Sequence, residues 1–460
     1  MSLTTKQTWA YGGGDLGLSL LYVALNTHFF YFLVNVAEFS ALEAGAVFII
    51  GRVVDAFTDP LIGSKSDELR DSIGRVPFIK WALLPTAVAF VLLFALPLAP
   101  VAPVALAIVG VALYSVASTC VLMPYLAMLP ELVPDYDART TAIGIKSVFT
   151  MLATLIAFAV PPGVVLAIDG TGQLAETSGS AWVYMSALVA VVFIVPVLVT
   201  VAVVPDPRSV RTAGTEEAVA TPMGRSIVAS FRSAWQTRGM AEVVYLFLAV
   251  TVAIMITNSL LTFFLESVLR IPGEQLPAVL GALVLVSILA FPLWIALAKR
   301  IGKRRAFMVS AAVEIVSLLL LITIVPAGGF SAPLWTIIVL NGIAVGGITM
   351  FPWSMLPDIV ELDELRVGQR REGLLYAVFT FSQKLATSIG VFANAIVIAV
   401  FGYVAGQVEQ SPETLSALRG MMGPGASVVF ALAIFFAWRY PVTREVHAEA
   451  TAALRARHET

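Results

Sequence analysis

Two aspartates stand four residues apart in Gly51-Arg52-Val53-Val54-Asp55-Ala56-Phe57-Thr58-Asp59-Pro60, inside an apolar stretch that begins near Ala41. On a helix, positions i and i+4 share a face. An ionised aspartate at mid-bilayer costs about 3 kcal/mol on insertion scales. Two on one face also repel each other. A cation, a basic side chain or a bound proton must offset that charge. The pair is therefore read as a cation site on a transport path, because carboxylates inside membrane segments are functional by default. The competing reading is a helix end where both groups reach water, since Pro60 and Lys65 follow closely.

Other polar residues sit where apolar ones are expected. Asp15, Ser19, Tyr22 and Asn26 are spaced by four, three and four, which places them in one stripe of a first helix. Gly12, Gly13 and Gly14 precede the stripe and permit close approach of backbone or ligand. The stripe is read as the wall of a water-filled cavity; the alternative is polar contact between helices. His28, one imidazole among aromatics, is read as structural. Thr119, in a fourth span with Tyr114, Ser115 and Ser118, is a candidate oxygen ligand, because hard cations prefer oxygen donors. Its alternative is a hydroxyl bonded to its own helix backbone. Tyr376, Thr380 and Lys384 are each four apart in an eleventh span. A buried ammonium needs a carboxylate or an anionic substrate, and Asp55 and Asp59 are partners on offer. Trp353 could stack on a sugar ring or a lipid headgroup; packing or an interfacial belt position is the alternative. The acidic cluster Asp358, Glu361, Asp363 and Glu364, with Arg366, Arg370 and Arg371, is read mainly as a solvated loop with internal ion pairs.

The elements that hold these residues are membrane helices. Of 460 residues, 59% are hydrophobic and 13% charged, with a mean hydropathy of +0.91. Soluble domains carry about 25% charged residues, so the chain is read as an integral membrane protein. A net charge of -2 gives no sign of a nucleic-acid partner. Cys120 is the only cysteine, which excludes an intramolecular disulfide and a cysteine metal cluster. Three histidines, two of them in the last 14 residues, make a histidine metal site a poor fit. The chain start carries no cleavable signal pattern. Apolar run length predicts twelve spans between residues 10 and 440. Lys and Arg concentrate in the even-numbered connections, which assigns those connections and both termini to the cytoplasm. Domain boundaries are expected at 1–204 for an N-terminal six-helix bundle, 205–239 for a polar cytoplasmic linker, 240–441 for a C-terminal six-helix bundle and 442–460 for a tail. Ile73-Gly74-Arg75 after the second span and Ile301-Gly302-Lys303-Arg304-Arg305 after the eighth suggest duplicated units. Many carriers are built from such repeats, with substrate held between them.

Several stretches together resemble the glycoside-pentoside-hexuronide:cation symporters, the family of the melibiose carriers. These are Tyr11-Gly12-Gly13-Gly14-Asp15-Leu16-Gly17, Gly51 to Gly63, and Gly74-Arg75-Val76-Pro77-Phe78 in the first half. In the second half they are Pro357-Asp358-Ile359-Val360-Glu361-Leu362-Asp363-Glu364, Arg370-Arg371-Glu372-Gly373 and Phe379 to Lys384. The resemblance implies an all-α major facilitator fold with twelve transmembrane helices in two six-helix bundles, and cation-coupled symport. It places Asp55, Asp59, Thr58 and Thr119 at cation positions, and Lys384 at the lysine of the eleventh helix. Lys146 falls where relatives often carry arginine. The sugar-binding aspartates of melibiose carriers fall at Ser19 and Leu122, and a neighbouring tryptophan at Leu126. The ion machinery is thus matched while the galactoside clamp is not. The Arg-x-x-Asp-Ala-Phe-Thr-Asp-Pro pattern is also similar to the lysolipid symporters of the same superfamily.

The expected function is secondary active, cation-coupled symport of a sugar or glycoside by alternating access. The alternative within transport is a lysolipid or other amphipath. The alternative from another class is a non-transporting membrane sensor or scaffold. The coupling ion is expected to be Na⁺ or H⁺, with Li⁺ possible; Asp55 and Asp59 are its ligands if it is sodium. Substrate is expected at Asp15, Ser19, Tyr22, Asn26, Lys146, Trp353, Tyr376, Thr380 and Lys384. No catalytic residues, no cofactor and no nucleic acid are expected. The partners are a small-molecule substrate and membrane lipid, and the chain is expected to be a monomer in the bacterial inner membrane.

Overall fold

A computed structural model describes residues 3–69, 72–98, 103–133, 136–207, 233–328, 331–368, 372–405, 407, 409–442, 445–446, 449–450 and 452–454. Most of the polar stretch after Pro205, and Arg370 and Arg371, lie outside the described residues. Among those described, every regular element is helical. The long helices are α1 (Thr5–Asn35), α2 (Ala41–Leu69), α3 (Arg75–Phe94), α4 (Pro103–Leu132), α5 (Tyr136–Asp169) and α6 (Gly179–Val203). They are followed by α7 (Met240–Phe263), α8 (Leu276–Leu289), α9 (Phe291–Ile301), α10 (Lys303–Ile324), α11 (Ala332–Val367), α12 (Glu372–Val400), α13 (Pro412–Gly420) and α14 (Ala426–Arg439).

Local sequence explains the starts and breaks. Thr4 and Gln7 form a capping box that starts α1: the Thr4 hydroxyl accepts from the Gln7 N–H, and the Gln7 side chain accepts from the Thr4 N–H at 2.9 Å. The eighth span is interrupted at Ala290, just before Phe291-Pro292, because a proline ring cannot enter an unbroken helical ladder. The seventh span continues from α7 through a π-turn, Phe264–Val268.

Eleven spans among the described residues are long and apolar enough to cross a bilayer, with α8–α9 and α13–α14 each counting once. The twelfth expected from the sequence is α2. Its 29 residues suffice in length, but Arg52, Asp55 and Asp59 load its apolar middle with charge. That charge load sets α2 apart from the other spans among the described residues. The acidic stretch from Asp358 to Glu364 corrects an expectation: it is helix, the last turns of α11, and not loop. Its charges are met along the helix. Asp363 accepts from the Thr237 hydroxyl at 2.6 Å and pairs with Arg366 at 3.1 Å, and Asp358 pairs with Lys303 at 2.7 Å. Gly368, at φ +77°, ends the helix in the left-handed conformation.

Packing groups the chain into two compact units. The first comprises Met1–Glu216 with Leu265–Gly281 and Ile398–Thr414; the second comprises Glu217–Phe264, Ala282–Val397 and Leu415–Thr460. In the first unit α1 lies against α5 and α6, α2 against α4, and α3 against α4 and α6. The Gly-rich stripe of α1 makes this possible. A Cβ on Gly17 would lie 2.5 Å from the Phe193 carbonyl oxygen, so only glycine lets α6 approach this closely. The core of this unit is aromatic: Phe29, Phe32, Phe94 and Trp182 pack with ring centroids 4.9 to 6.1 Å apart. In the second unit α10 packs on α11 and α14, and α7 on α14.

Candidate functional site

The charged residues of α2 meet partners on three helices of the first unit. Asp55, 8% exposed, takes Arg52 as its ionic partner, with Nη1 to Oδ2 at 2.9 Å. That guanidinium lies one helical turn earlier on the same helix. Arg52 Nη2 donates to Asn26 Oδ1 at 3.0 Å. Its guanidinium also lies over the Tyr22 ring, 5.6 Å from the centroid. Asn26 in turn donates to the Tyr22 carbonyl at 2.7 Å. Asp59 has a different neighbour: the Thr119 hydroxyl of α4 donates to Oδ1 at 3.0 Å. Gly51 allows α2 and α4 to approach for this contact, since a Cβ there would meet Val111 Cγ1 at 2.6 Å. Thr58 Oγ1 is buried and has no hydrogen-bond partner among the described residues. Unpaired buried hydroxyls are costly, and each one in a native structure calls for an explanation.

A second cluster lies one turn along α1. Asp15 is 3% exposed. Lys146 Nζ of α5 stands 2.9 Å from its Oδ1. The Ser19 hydroxyl donates to Oδ2 at 3.0 Å, and the Thr150 hydroxyl donates to the same oxygen. The stripe read from the sequence is therefore divided. Asp15 and Ser19 face Lys146 and Thr150 on α5, while Tyr22 and Asn26 face Arg52 on α2. Arg52 and Thr150 were absent from the candidate set. Simple spacing could have found both, because Arg52 is i−3 from Asp55 and Thr150 is i+4 from Lys146.

The candidates of the second unit are less concentrated. Lys384 is half-buried on α12, and its carbonyl accepts from Ser388 at 3.4 Å. Thr380 is exposed, and the Tyr376 side chain lies outside the described residues. Trp353 packs edge-on against Phe247 and Phe379, at 5.3 and 5.1 Å.

Two buried carboxylates escaped the sequence reading. In the second unit, Glu314 of α10 is 2% exposed and accepts from Asn341 Nδ2 of α11 at 3.0 Å on each oxygen. In the first unit, Glu266 accepts from the Tyr31 hydroxyl and, at 2.8 Å, from the Leu174 N–H. His28 is structural, as read: its Nε2 bonds the Ala157 carbonyl at 2.7 Å.

Chemically, the first unit offers hard oxygen donors with fixed positive charge alongside. Among the described residues no three His, Cys, Asp or Glu side chains group as metal ligands. A cation here would rest on Asp55 and Asp59 with threonine hydroxyls, a set suited to a weakly held alkali ion or a proton.

Comparison with known proteins gives this site its context. The sequence profile of the MFS/sugar transport protein family matches residues 10–444. The isoprimeverose transporter of Lactiplantibacillus pentosus is 26% identical, with 90% of this chain and 84% of that protein covered. The sodium-dependent lysophosphatidylcholine symporter 1-A of Danio rerio is 21% identical, with 97% and 87% covered. The crystal structure of the nucleoside transporter NupG shares the fold, with a TM-score of 0.68 at 15% identity over 95% of this chain and all of that one. A helical chain with these spans, a charged second helix and a profile match over nearly its full length is a secondary transporter of the membrane and not an enzyme; it belongs to the MFS/sugar transport family of the major facilitator superfamily.

Proposed function

We propose that the protein is a cation-coupled symporter of a sugar or glycoside that works by alternating access. The observation that carries the coupling site is the Thr58 hydroxyl, buried without a partner among the described residues and next in sequence to an aspartate already held by Thr119. A buried oxygen with an unused lone pair, in the same helical turn as two carboxylates, is a donor available to a small cation. Na⁺, H⁺ or Li⁺ arriving at Asp55 and Asp59 would compete with Arg52 for Asp55. Arg52 would then turn fully to Asn26 and Tyr22 and reshape the wall of the α1 stripe. A ligand shifts an equilibrium only by its differential affinity for two states. The Arg52–Asp55 pair is the element whose two arrangements a cation distinguishes. Substrate hydroxyls are proposed to meet Asp15, Ser19 and Lys146, with Tyr22 and Asn26 beside them in the first unit; in the second unit Trp353, Tyr376, Thr380 and Lys384 are the proposed substrate residues. The inner membrane, with both termini in the cytoplasm, is the proposed location.

A specific feature favours a second substrate class. The melibiose clamp positions are Ser19, Leu122 and Leu126 in this chain, and Leu126 is 42% exposed. A lining without carboxylates suits an acyl chain, and the zebrafish relative is named for a lysolipid. Thermal unfolding of the purified protein separates the readings. Sugars, glycosides and lysolipids are added with and without Na⁺, at two pH values. One substrate and one ion that each strengthen the other's stabilisation identify both by linkage. No stabilisation by any substrate under any ion condition would favour a non-transporting sensor or scaffold.

A further inference from the structure

Each unit contains a helix that starts on the same glycine turn. Gly74, at φ +90°, precedes α3, and Gly302, at φ +85°, precedes α10. The basic residue after each glycine is ion-paired: Arg75 with Glu131 at 2.6 Å, and Lys303 with Asp358 at 2.7 Å. The chain leaving α6 reads Val204-Pro205-Asp206, and the chain leaving α14 reads Tyr440-Pro441-Val442.

At this point the two units differ. In the first, Asp206 Oδ2 accepts the backbone N–H of Val76 at 3.0 Å. A Cβ on Gly74 would lie 2.5 Å from the same oxygen. The chain's own carboxylate thus satisfies an open N–H at the start of α3. In the second, the matching residue is Val442, which carries no charge. Among the described residues, no side chain accepts from the backbone N–H of Lys303, Arg304 or Arg305, and a Cβ on Gly302 would meet nothing within 4 Å.

A cavity of about 570 Å³ occupies the second-unit position. Arg300, Lys303, Arg304 and Arg305 line it, against the carboxylates of Asp358 and Glu445. Positive charge is in excess. Lys303 is engaged by Asp358, and Arg304 donates to the Tyr440 carbonyl at 3.1 Å. Arg300 and Arg305 are exposed and have no carboxylate within ion-pair distance among the described residues.

We propose that this cavity binds a phosphate-type anion, supplied by an anionic phospholipid headgroup or by free phosphate. The anion takes the place that the Asp206 carboxylate fills in the first unit. Guanidinium forks match phosphate oxygens two at a time, and N–H groups at a helix start add directed donors. Basic pockets at the ends of membrane helices suit anionic headgroups. The site is separate from the Asp15, Asp55 and Asp59 cluster, which belongs to the other unit.

The test is the thermal unfolding midpoint of the purified full chain in detergent. Phosphatidylglycerol vesicles, phosphatidylcholine vesicles, and inorganic phosphate against chloride at equal ionic strength are the additives. Wild type is expected to be stabilised by phosphatidylglycerol over phosphatidylcholine if the source is lipid, and by phosphate over chloride if it is the free ion. The Arg300→Gln/Arg305→Gln variant should lose the response, with about fivefold weaker binding for each arginine removed. Val442→Asp, which supplies the missing carboxylate, should lose it as well. A wild type that responds to neither anion overturns the proposal, as does an arginine variant that responds as wild type does. A folded Val442→Asp protein with a full response also overturns it. If Val442→Asp does not fold, the arginine variant decides alone.

Discussion

Buried carboxylates of this chain are held in two opposite ways, some by a cationic side chain and some, such as Glu266 and Glu314, by neutral donors. In the first unit, Asp15 faces an ammonium and Asp55 a guanidinium, at 2.9 Å in each case. In the second, Glu314 is at least as deeply buried, yet its partners among the described residues are the neutral side chains Asn341 and Ser317. An ion pair in low dielectric is costly to assemble and weak evidence for stability. Its useful property is that either member can be exchanged for an arriving ion. A carboxylate held by a carboxamide of the neighbouring helix and a hydroxyl of its own helix has nothing to exchange. It ties α10 to α11 as polar contacts commonly tie membrane helices. Position in the membrane alone therefore does not mark a carboxylate as part of a transport path; on the proposed function, an exchangeable cationic partner is also needed.

The sharpest way to break this comparison is Asp59→Cys. The variant keeps the size class but removes the carboxylate that Thr119 holds. A charge-assisted contact is worth about 1.5–3 kcal/mol, so cation-stimulated uptake into vesicles should fall by about ten- to a hundredfold. The protein should still insert and bind detergent normally. Uptake that remained fully responsive to Na⁺ and to pH would remove Asp59 from the coupling site.

An intermediate effect is expected at the Asp15–Lys146 pair. Lys146→Ala leaves a carboxylate, 3% exposed, with only hydroxyl donors from Ser19 and Thr150. Breaking a buried pair from one side costs about 3–5 kcal/mol, and less here because Lys146 is partly accessible. Asp15→Asn in the same chain should restore much of the lost thermal stability without restoring substrate uptake. Full additivity of the two substitutions in a double-mutant cycle would mean that the pair is not coupled. Lys384→Ala on α12 should weaken coupling while the purified protein stays folded; unfolding on detergent extraction would assign Lys384 a structural role instead.

Much of this was legible in the residues. Asp55 and Asp59, in an apolar run, announced a charged helix among apolar ones, and among the described residues α2 is the one long helix that fails the apolarity expected of a span. The α1 stripe was legible from its period, and the Gly-rich start from the close packing it permits. What spacing could not supply was the identity of partners across helices. Lys146 lies 131 positions from Asp15, and Thr119 lies 60 from Asp59; only packing brings them together. Glu266 and Glu314 were missed for the same reason. Each is a lone carboxylate in its turn of helix, and their donors come from Tyr31 and Leu174 in one case and Asn341 in the other. The acidic end of α11 was misread because a dense run of charge looks like loop until Lys303, Thr237 and Arg366 are seen to satisfy it.

The smallest effect is expected at Glu314→Gln, and it probes the comparison from its other side. The substitution removes the charge and keeps the shape. Asn341 can still donate to the remaining carbonyl oxygen, and Ser317 Oγ, 3.2 Å from Asn341 Nδ2, remains as a local partner. Neutral hydrogen bonds contribute about 1 kcal/mol each, so the unfolding midpoint should move by a few degrees at most and cation-coupled uptake should be unchanged. The same substitution at Asp55, as Asp55→Asn, would strand Arg52 and should not be silent. If Glu314→Gln instead abolished pH-driven uptake while leaving the fold intact, Glu314 would be carrying a proton that matters to transport. Neutral partners would then no longer distinguish a structural carboxylate from a working one.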